Sequence, residues 1–287
     1  MPRLLSINDL YDPTNDWKSL LPTIAWLEGA YKSWKVKDTG FNRVIPVHMG
    51  NDLARSPGLH ASELNTCIRQ AAYALRGEER CVQEESDGNP NMKMRFDLGK
   101  MVHALIQDDF EHICIQTRGV ISFEDEVKIW PGMGGVAAQY NYASSSDGIF
   151  TFSDQYLSPY IRLGLEIKTM SADEFDKANK PKDAHIQQGT LYQKCLDIPL
   201  MWYLYYNKSN SNWTPPTAPW IVPFDRNEWA KIEARSAQAH SHTQQGTLPD
   251  REEGMHCKWC AFAKTCNPAI LKLHSTARYR STARRIT

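Results

Sequence analysis

A carboxylate and an amine stand two residues apart in Glu166-Ile167-Lys168. Residues two apart in a β-strand point to the same face, so both side chains would lie on one side of a sheet. An acid beside a base in that position can hold a metal ion and handle a water molecule. The tripeptide alone is common and usually marks a solvated strand face, so its meaning depends on its neighbours.

A second carboxylate, Asp147, lies at the start of the preceding predicted strand, just after a serine-rich turn. A hairpin would bring Asp147 close to Glu166, and such paired carboxylates suit hard cations such as Mg²⁺ or Mn²⁺. Ordinary turn formation at Asp147-Gly148 is the alternative explanation. The combination with the Glu-x-Lys strand favours a metal site over a turn.

Three polar side chains on predicted helices extend this candidate site. His103 lies on the helix before the sheet, and a neutral imidazole there can complete a metal shell. Gln188 and Tyr192 are four residues apart after the Glu-x-Lys strand and therefore share one helix face. Both can form hydrogen bonds with phosphate oxygens or with Lys168. Ordinary packing or solvent exposure is the alternative explanation of each.

Three cysteines near the C-terminus, Cys257, Cys260 and Cys266, form a C-x2-C-x5-C pattern. This spacing is typical of metal ligands in an intracellular chain. A four-coordinate site needs one more ligand. The best candidate is Cys67, on a predicted helix that precedes the candidate site at Asp147 and Glu166 in the chain. The pattern therefore predicts a four-cysteine metal centre.

The other thiols and one histidine leave alternatives open at this centre. Cys81 is the reserve fourth ligand, whereas Cys114 and Cys195 are predicted to be ordinary thiols. His256, next to the first cysteine of the pattern, leaves a Cys3His zinc site open. Seven cysteines, an odd number, fit metal ligation or free thiols better than a disulfide framework.

The composition is that of an ordinary globular protein, with 41% hydrophobic and 23% charged residues in a chain of 287. The 33 basic and 33 acidic side chains cancel, so any nucleic-acid site must be local. The sequence shows neither a membrane-spanning run nor a signal peptide, which predicts a cytoplasmic protein of a bacterial, archaeal or virus-infected cell. One elaborated domain is expected.

The elements that must position these residues follow from the spacing of apolar side chains. Helices are predicted at 16–35, 61–76, 94–115, 184–196 and 226–245. Strands are predicted at 119–130, 134–142, 147–153, 160–169, 200–206 and 219–224. The order predicts an α/β fold with a mixed central sheet flanked by helices and one crossover connection. The last predicted segment is a basic tail, which is either solvated or an arm that contacts phosphate groups. Its basic residues are Lys272, Arg278, Arg280, Arg284 and Arg285.

Taken together, these signals resemble the RecB-like branch of the PD-(D/E)XK nucleases, and within it the iron-sulfur exonucleases typified by the CRISPR-adaptation nuclease and the AddB helicase-nuclease subunit. The resemblance runs from about residue 62 to residue 266, in the family's order. It rests on Cys67 with Arg69, G-x3-H at His103, Asp147, Glu166-x-Lys168, Q-x3-Y at Gln188 and Tyr192, and Cys257, Cys260 and Cys266. The family's G-x2-D reads Ser144-Ser145-Ser146-Asp147 here, without the glycine.

The resemblance implies a restriction-endonuclease-like core at 59–270, preceded by an N-terminal helical extension at 1–58 and followed by the basic tail at 271–287. It implies a DNA exonuclease whose Mg²⁺ or Mn²⁺ is held by His103, Asp147, Glu166 and the Ile167 carbonyl. Lys168 would handle the attacking water. Arg69, Gln188 and Tyr192 would contact a DNA substrate that is single-stranded or has free ends.

The resemblance also implies that the four cysteines hold a 4Fe-4S cluster that clasps the chain ends, with zinc as the alternative metal. The implied roles are recombination, repair, phage DNA processing or CRISPR adaptation. Two other functions compete with a nuclease. One is an inactive nucleic-acid-binding module that keeps the fold, and the other is a zinc-ribbon protein in which the Glu-x-Lys tripeptide is accidental.

Overall fold

The computed structural model describes residues 6–8, 21–37, 45, 47, 58–64, 66–80, 90–152, 161–207 and 220–266. Most of the predicted N-terminal extension, Cys81 and the predicted basic tail lie outside these residues. Among the described helices, none combines the length and apolar composition that a membrane crossing requires.

In the described part of the chain, five of the six predicted strands form one mixed sheet. They are β1 (Ile121–Ile129), β2 (Ser144–Phe152), β3 (Ile161–Met170), β4 (Leu200–Asn207) and β5 (Trp220–Pro223), and they lie in that order across the sheet. Neighbouring strands are antiparallel except β3 and β4, which are parallel. A parallel pair requires a crossover, and a helix between β3 and β4 supplies it. The predicted α/β class with a mixed sheet is confirmed.

Helices cover both faces of this sheet. They are α1 (Leu21–Lys37), α2 (Ala61–Leu64), α3 (Ile68–Leu75), α4 (Pro90–Gln116), α5 (Gly135–Gln139), α6 (Ala172–Asp176), α7 (Asp183–Leu196), α8 (Arg226–Gln244) and α9 (Ala263–Cys266). Short 3-10 turns lie at Pro131–Met133 and Met255–Trp259. Helix α8 begins after Asp225, whose side chain accepts a hydrogen bond from Asn227 N–H at 2.7 Å and so caps the helix.

The core is divided by the sheet into two layers. On one face Phe110 of α4 packs edge-on against Phe150 and Trp202, with ring centroids 4.9 and 5.6 Å apart. On the other face α7 and α8 pack over Tyr203 and Tyr205 of β4. Both faces of β3 and β4 are covered, which explains the nearly unbroken apolar sequence of β4.

The predicted strand at 134–142 is wrong. The segment forms helix α5 (Gly135–Gln139) instead, directly after the 3-10 turn at Pro131–Met133. Gly134 and Gly135 adopt φ angles of 79° and 56°, which lie outside the extended region that a strand requires. The apolar residues that suggested a strand, Ala137 and Tyr140, are buried at helical spacing in the α7 layer of the core.

The predicted helix at 61–76 is interrupted, because α2 ends at Leu64 and α3 begins at Ile68. Cys67 lies in the break with extended backbone, φ −155° and ψ 126°. The first N–H of α3, on Ile68, donates to Glu252 Oε2 at 2.7 Å. A carboxylate distant in sequence therefore caps this helix, a signal that no local pattern reveals.

A glycine in the crossover helix provides a test of the packing between α7 and the sheet. A Cβ added at Gly189 would overlap Tyr203 Oη and lie 2.9 Å from its Cζ, and Tyr203 is fully buried. Gly189→Ala is expected to cost about 1–3 kcal/mol of unfolding free energy because the whole ring must move. Chemical denaturation measures this loss.

The matched control is Gly99→Ala in α4, where the new Cβ would meet only Thr169 Oγ1 at 3.5 Å. Alanine there is expected to gain up to about 1 kcal/mol, because it costs less conformational entropy than glycine in a helix. Equal stabilities for the two variants would contradict the packing described for α7.

Candidate functional site

The sequence-predicted carboxylates lie together at the point where β2 and β3 separate. The antiparallel pairing of these strands ends at Gly148 and Leu165. One residue further, Asp147 turns its carboxylate to the next strand, and Oδ2 accepts a hydrogen bond from Ile167 N–H at 2.5 Å. The side chain of Asp147 therefore replaces the backbone acceptor that continued pairing would supply, which fixes it beside Glu166.

His103 joins this group from α4. Its Nδ1 lies 3.3 Å from Asp147 Oδ1, and the side chains of the two residues are 26% and 15% exposed. Gly99, one turn earlier, lies against Thr169 at the end of β3, so the helix passes close to the strand end. The position of α4 thus brings an imidazole to the carboxylates, as the sequence predicts.

Glu166 and Lys168 form an ion pair on the α7 face of β3, and the Glu166 side chain is only 1% exposed. Lys168 contacts Oε1, whereas Oε2 has no hydrogen-bond partner in the described part of the chain. Burial raises the pKa of Glu166 to about 7, against the lowering effect of Lys168. A buried carboxylate with an unsatisfied oxygen is a position where a cation is favourable.

Neighbouring charges hold the other members of the group in their ionised forms. Burial raises the pKa of Asp147, but His103 and Lys168 lower it more, so the pKa lies below its usual value. Burial lowers the pKa of His103, but the negative charge of Asp147 raises it above its usual value. Asp147 and His103 therefore form a charged pair at moderately acid pH.

The pKa of Lys168 departs from what a general base needs. Burial lowers this pKa, but Glu166 and Asp147 outweigh burial, and the pKa lies above its usual value. A cation bound to the two carboxylates would cancel their effect and repel the ammonium charge. Lys168 can therefore act on a water molecule as a base only when a cation neutralises its partners.

Gln188 and Tyr192 lie on α7 facing the same group. Gln188 Nε2–H donates to Tyr192 Oη at 2.6 Å. Tyr192 is buried, and burial together with the charge of Glu166 raises its pKa well above the usual value. Tyr192 is therefore a neutral hydroxyl whose proton remains available to a nearby acceptor.

No group of three or more His, Cys, Asp or Glu side chains in the described ranges is arranged to hold a metal ion. At the carboxylate group the physical reason is internal pairing, since Asp147 is bonded to Ile167 N–H and His103, and Glu166 to Lys168. The donor types still fit a hard divalent cation, and Glu166 Oε2, which has no hydrogen-bond partner among the described residues, is the oxygen that could bind it.

Two residues that the sequence reasoning missed support Asp147 from the side of β1. Buried Gln107, one turn after His103, donates from Nε2 to Asp147 O at 2.7 Å and to Glu126 Oε1 at 3.1 Å. The β1–β2 register skips Glu126 and Asp147, between the pairs Asp125–Gly148 and Val127–Ser146. Glu126 has a φ of 45°, an uncommon conformation for glutamate. The four-residue spacing from His103 was the one sequence signal for Gln107.

The four sequence-predicted cysteines line one cavity of about 30 Å³ between α3 and the C-terminal segment, together with His256: Cys67, Cys257, Cys260 and Cys266. Burial, with a smaller effect of the three other thiols, raises the pKa of Cys260 to about 11, against the lowering effect of Phe262 N–H, 3.4 Å from its sulfur. Thiols that influence one another in this way are close in space. The cavity walls include His256, so the structure keeps both ligand alternatives.

Charged side chains tie the C-terminal segment to α3 beside this cavity. Arg235 of α8 forms a two-point ion pair with Glu252, at 2.9 Å for each contact, and Glu252 caps α3. Arg69 lines the cavity and donates from Nε to Pro249 O at 2.6 Å. The structure thus places Arg69 with the cysteines, whereas Gln188 and Tyr192 lie with the carboxylates.

Cys114 and Cys195 lie apart from the cavity. Cys114 is buried in the α1–α4 layer of the core, and Cys195 packs against the α7–α8 layer. Burial raises the pKa of each thiol to about 12, so both are protonated and unreactive at neutral pH.

The raised pKa of Glu166 gives a prediction for stability in the presence of chelator. Below pH 4.5 the carboxyl is neutral in the folded and unfolded chains, and between 4.5 and about 7 only the unfolded chain loses the proton. Rising pH therefore favours unfolding of the wild type across this window. Glu166→Gln removes the effect, so its melting temperature relative to wild type is expected to rise between pH 5 and pH 8.

The change of this melting-temperature difference with pH is the informative quantity, because replacing the Glu166 side chain also alters its contact with Lys168 and so adds an offset of its own. Thermal unfolding at several pH values, with chelator throughout, measures it. A difference that stays constant from pH 5 to pH 8 would show that Glu166 ionises normally in the folded chain.

No protein-family model matches the sequence, and no curated protein matches it. Among solved structures, the chain is similar to the crystal structure of SSO0001, at 13% identity and a TM-score of 0.41 over 84% of this chain and 95% of that one. It is similar to an alkaline exonuclease, LHK-Exo, from Laribacter hongkongensis, at 15% identity and a TM-score of 0.40 over 67% of this chain and 91% of that one. The same exonuclease in complex with dAMP gives 14% identity and a TM-score of 0.40 over 68% and 91%.

Proposed function

We propose that this chain is a divalent-metal-dependent deoxyribonuclease of the PD-(D/E)XK type, in its RecB-like branch, that hydrolyses phosphodiesters at DNA ends. One observation carries the proposal. Asp147 and Glu166 lie beside each other where β2 and β3 separate, next to Lys168 and His103, and the buried Glu166 carboxylate has an unsatisfied oxygen. Carboxylates, imidazole and amine in this arrangement fit metal-assisted hydrolysis.

Asp147, Glu166, His103 and the Ile167 carbonyl would hold Mg²⁺ or Mn²⁺. The bound cation would polarise the phosphate and stabilise the charge that develops on it. Lys168, released from its pairing with Glu166, holds the attacking water and takes its proton. Gln188 and Tyr192 orient the DNA strand, because Tyr192 keeps a hydroxyl proton that can be donated to a phosphate oxygen.

The four cysteines would hold a 4Fe-4S cluster with a structural role, and zinc is the alternative metal. Their shared cavity, and the N–H donor from Phe262 to the sulfur of Cys260, support a thiolate centre. The centre lies where α3 meets the C-terminal segment, so its ligands would fasten the end of the described chain to the region ahead of α4. DNA that is single-stranded or has free ends is the proposed substrate.

The proposal is tested with anaerobically purified protein on end-labelled single-stranded and double-stranded DNA. Cleavage is measured with Mn²⁺, with Mg²⁺ and with chelator, for wild type and for Lys168→Ala. Metal-dependent cleavage that is lost in Lys168→Ala supports the proposed nuclease activity, and the labelled products show from which DNA end digestion proceeds. Binding of DNA without cleavage under any of these conditions would replace the nuclease with a nucleic-acid-binding module.

A further inference from the structure

A histidine outside the sequence-predicted site shares the helix face of Gln188 and Tyr192. His185 precedes them on α7 by three and seven residues, so the three side chains lie along one face. Its Nδ1 lies 2.5 Å from Tyr205 Oη, with the two rings edge to face at 5.4 Å. Tyr205 is the register partner of Lys168 in the parallel β3–β4 pair, so His185 lies beside the proposed catalytic lysine.

The hydrogen bonds around Tyr205 define which nitrogen of His185 carries the proton. Tyr205 Oη accepts a hydrogen bond from Lys182 N–H at 2.9 Å. Nδ1 of His185 is then the acceptor available, within the described residues, for the hydroxyl proton of Tyr205. This arrangement favours the tautomer of His185 with its proton on Nε2, and Nε2 makes no hydrogen bond of its own with a described residue.

The surroundings keep this imidazole neutral and suited to an anionic ligand. Burial lowers the pKa of His185 to about 3, helped by the charges of Lys168 and Lys182 and opposed by Glu174. A neutral N–H donor between two lysines suits a phosphate oxygen, since it adds a directed hydrogen bond without the cost of another buried charge.

We propose that His185 is a further substrate-contacting residue, whose Nε2–H, fixed by the hydrogen bond from Tyr205 to Nδ1, donates to a phosphate oxygen of the DNA strand next to Lys168. This inference rests on the proposed function, and it adds a positioning role for Tyr205. It predicts that the nitrogen at the ε position binds the substrate and that the nitrogen at the δ position only fixes the ring.

Two substitutions separate the two nitrogens. His185→Asn keeps an acceptor for Tyr205 near the position of Nδ1 but removes the donor at the ε position. His185→Gln keeps an N–H donor near the ε position and loses the contact with Tyr205. We expect H185N to weaken binding of a single-stranded oligonucleotide by roughly 10-fold or more, because it loses a hydrogen bond to a charged group. We expect H185Q to retain most of the wild-type affinity.

The first measurement needs neither metal nor DNA. Side-chain ¹⁵N–¹H correlation spectra of the full chain at pH 7, assigned with H185N, report the tautomer of His185. We expect a proton on Nε2 in wild type and a mixture of tautomers in Tyr205→Phe. A proton on Nδ1 in wild type would overturn the proposal.

The second measurement is oligonucleotide affinity with Ca²⁺ and cleavage kinetics with Mn²⁺, for wild type, H185N and H185Q, with melting temperatures to confirm folding. If the wild type cleaves DNA and H185N has unchanged affinity and kcat/KM, the proposed role of His185 is overturned and the proposed nuclease activity is supported. If the wild type binds the oligonucleotide without cleaving it and H185N binds more weakly, the proposed nuclease activity is overturned and the contact between His185 and the DNA is supported. A wild type that binds no oligonucleotide would overturn both.

Discussion

Asp147→Asn is expected to lower kcat/KM for metal-dependent DNA cleavage by about 10³-fold or more. Asparagine can still accept the hydrogen bond from Ile167 N–H, so the local backbone is kept. The substitution removes the negative charge that pairs with His103 and that a divalent cation requires. Removing a group that transfers a proton typically lowers the rate by about 10²–10⁴-fold. We expect the loss of a metal ligand to lower the rate by at least as much.

Initial rates on end-labelled DNA across a Mn²⁺ titration measure this effect. The matched control is Asp176→Asn in α6, an exposed carboxylate on the same stretch of chain after β3 that is expected to leave the rates unchanged. A rate for D147N within a few fold of wild type across the whole Mn²⁺ titration, including low Mn²⁺, would exclude Asp147 as a ligand. Recovery only at high Mn²⁺ would show that the loss lies in metal affinity, as the proposal requires.

Replacement of Cys260 with serine is expected to remove the metal of the cysteine centre and to destabilise the fold. Binding of a structural metal to thiolates contributes directly to folding free energy, on the order of 10 kcal/mol in small zinc sites. Domains of 150–250 residues lose about 2–4 °C in melting temperature per kcal/mol. We therefore expect C260S to melt about 10 °C or more below wild type.

Metal analysis and the visible spectrum of anaerobically purified protein accompany the thermal measurement. An iron-sulfur centre gives a brown protein that absorbs near ~400 nm, and zinc thiolate is colourless. Cys195→Ala is the control, because this thiol is packed in the core away from the cavity and its loss should leave the metal content unchanged. A colourless wild type with stoichiometric zinc would exclude the cluster and keep the four-ligand centre.

The sequence predicts the strands of the sheet because they are short runs with β-branched and aromatic residues, and β4 because it is unbroken apolar sequence. A hairpin between two of these strands predicts that Asp147 lies close to Glu166, and the observed register of β2 and β3 places them side by side. The alternation of side chains also predicts that Glu166 and Lys168 share one face of the sheet, and the structure shows that α7 packs on this face. Local patterns were sufficient for these residues because their neighbours in the chain determine their positions.

The parts that sequence reasoning missed depend on contacts between distant segments. The break between α2 and α3 depends on Glu252, which lies 184 residues from the N–H that it caps. Gln107 and Glu126 meet only because α4 crosses the β1–β2 ladder. The apolar residues at 134–142 suggested a strand, but two glycines with positive φ and a layer of the core that accepts a helix decided the outcome.

The cap of α3 by Glu252 has a consequence for the kinetics of folding. Joining residues 184 apart costs about 5 kcal/mol of loop-closure entropy, so this contact is expected to form after the rate-limiting step. Interactions that form late act mainly on the rate of unfolding. The contact between Glu252 and Ile68 N–H is therefore expected to slow unfolding of the chain and to have little effect on its folding rate.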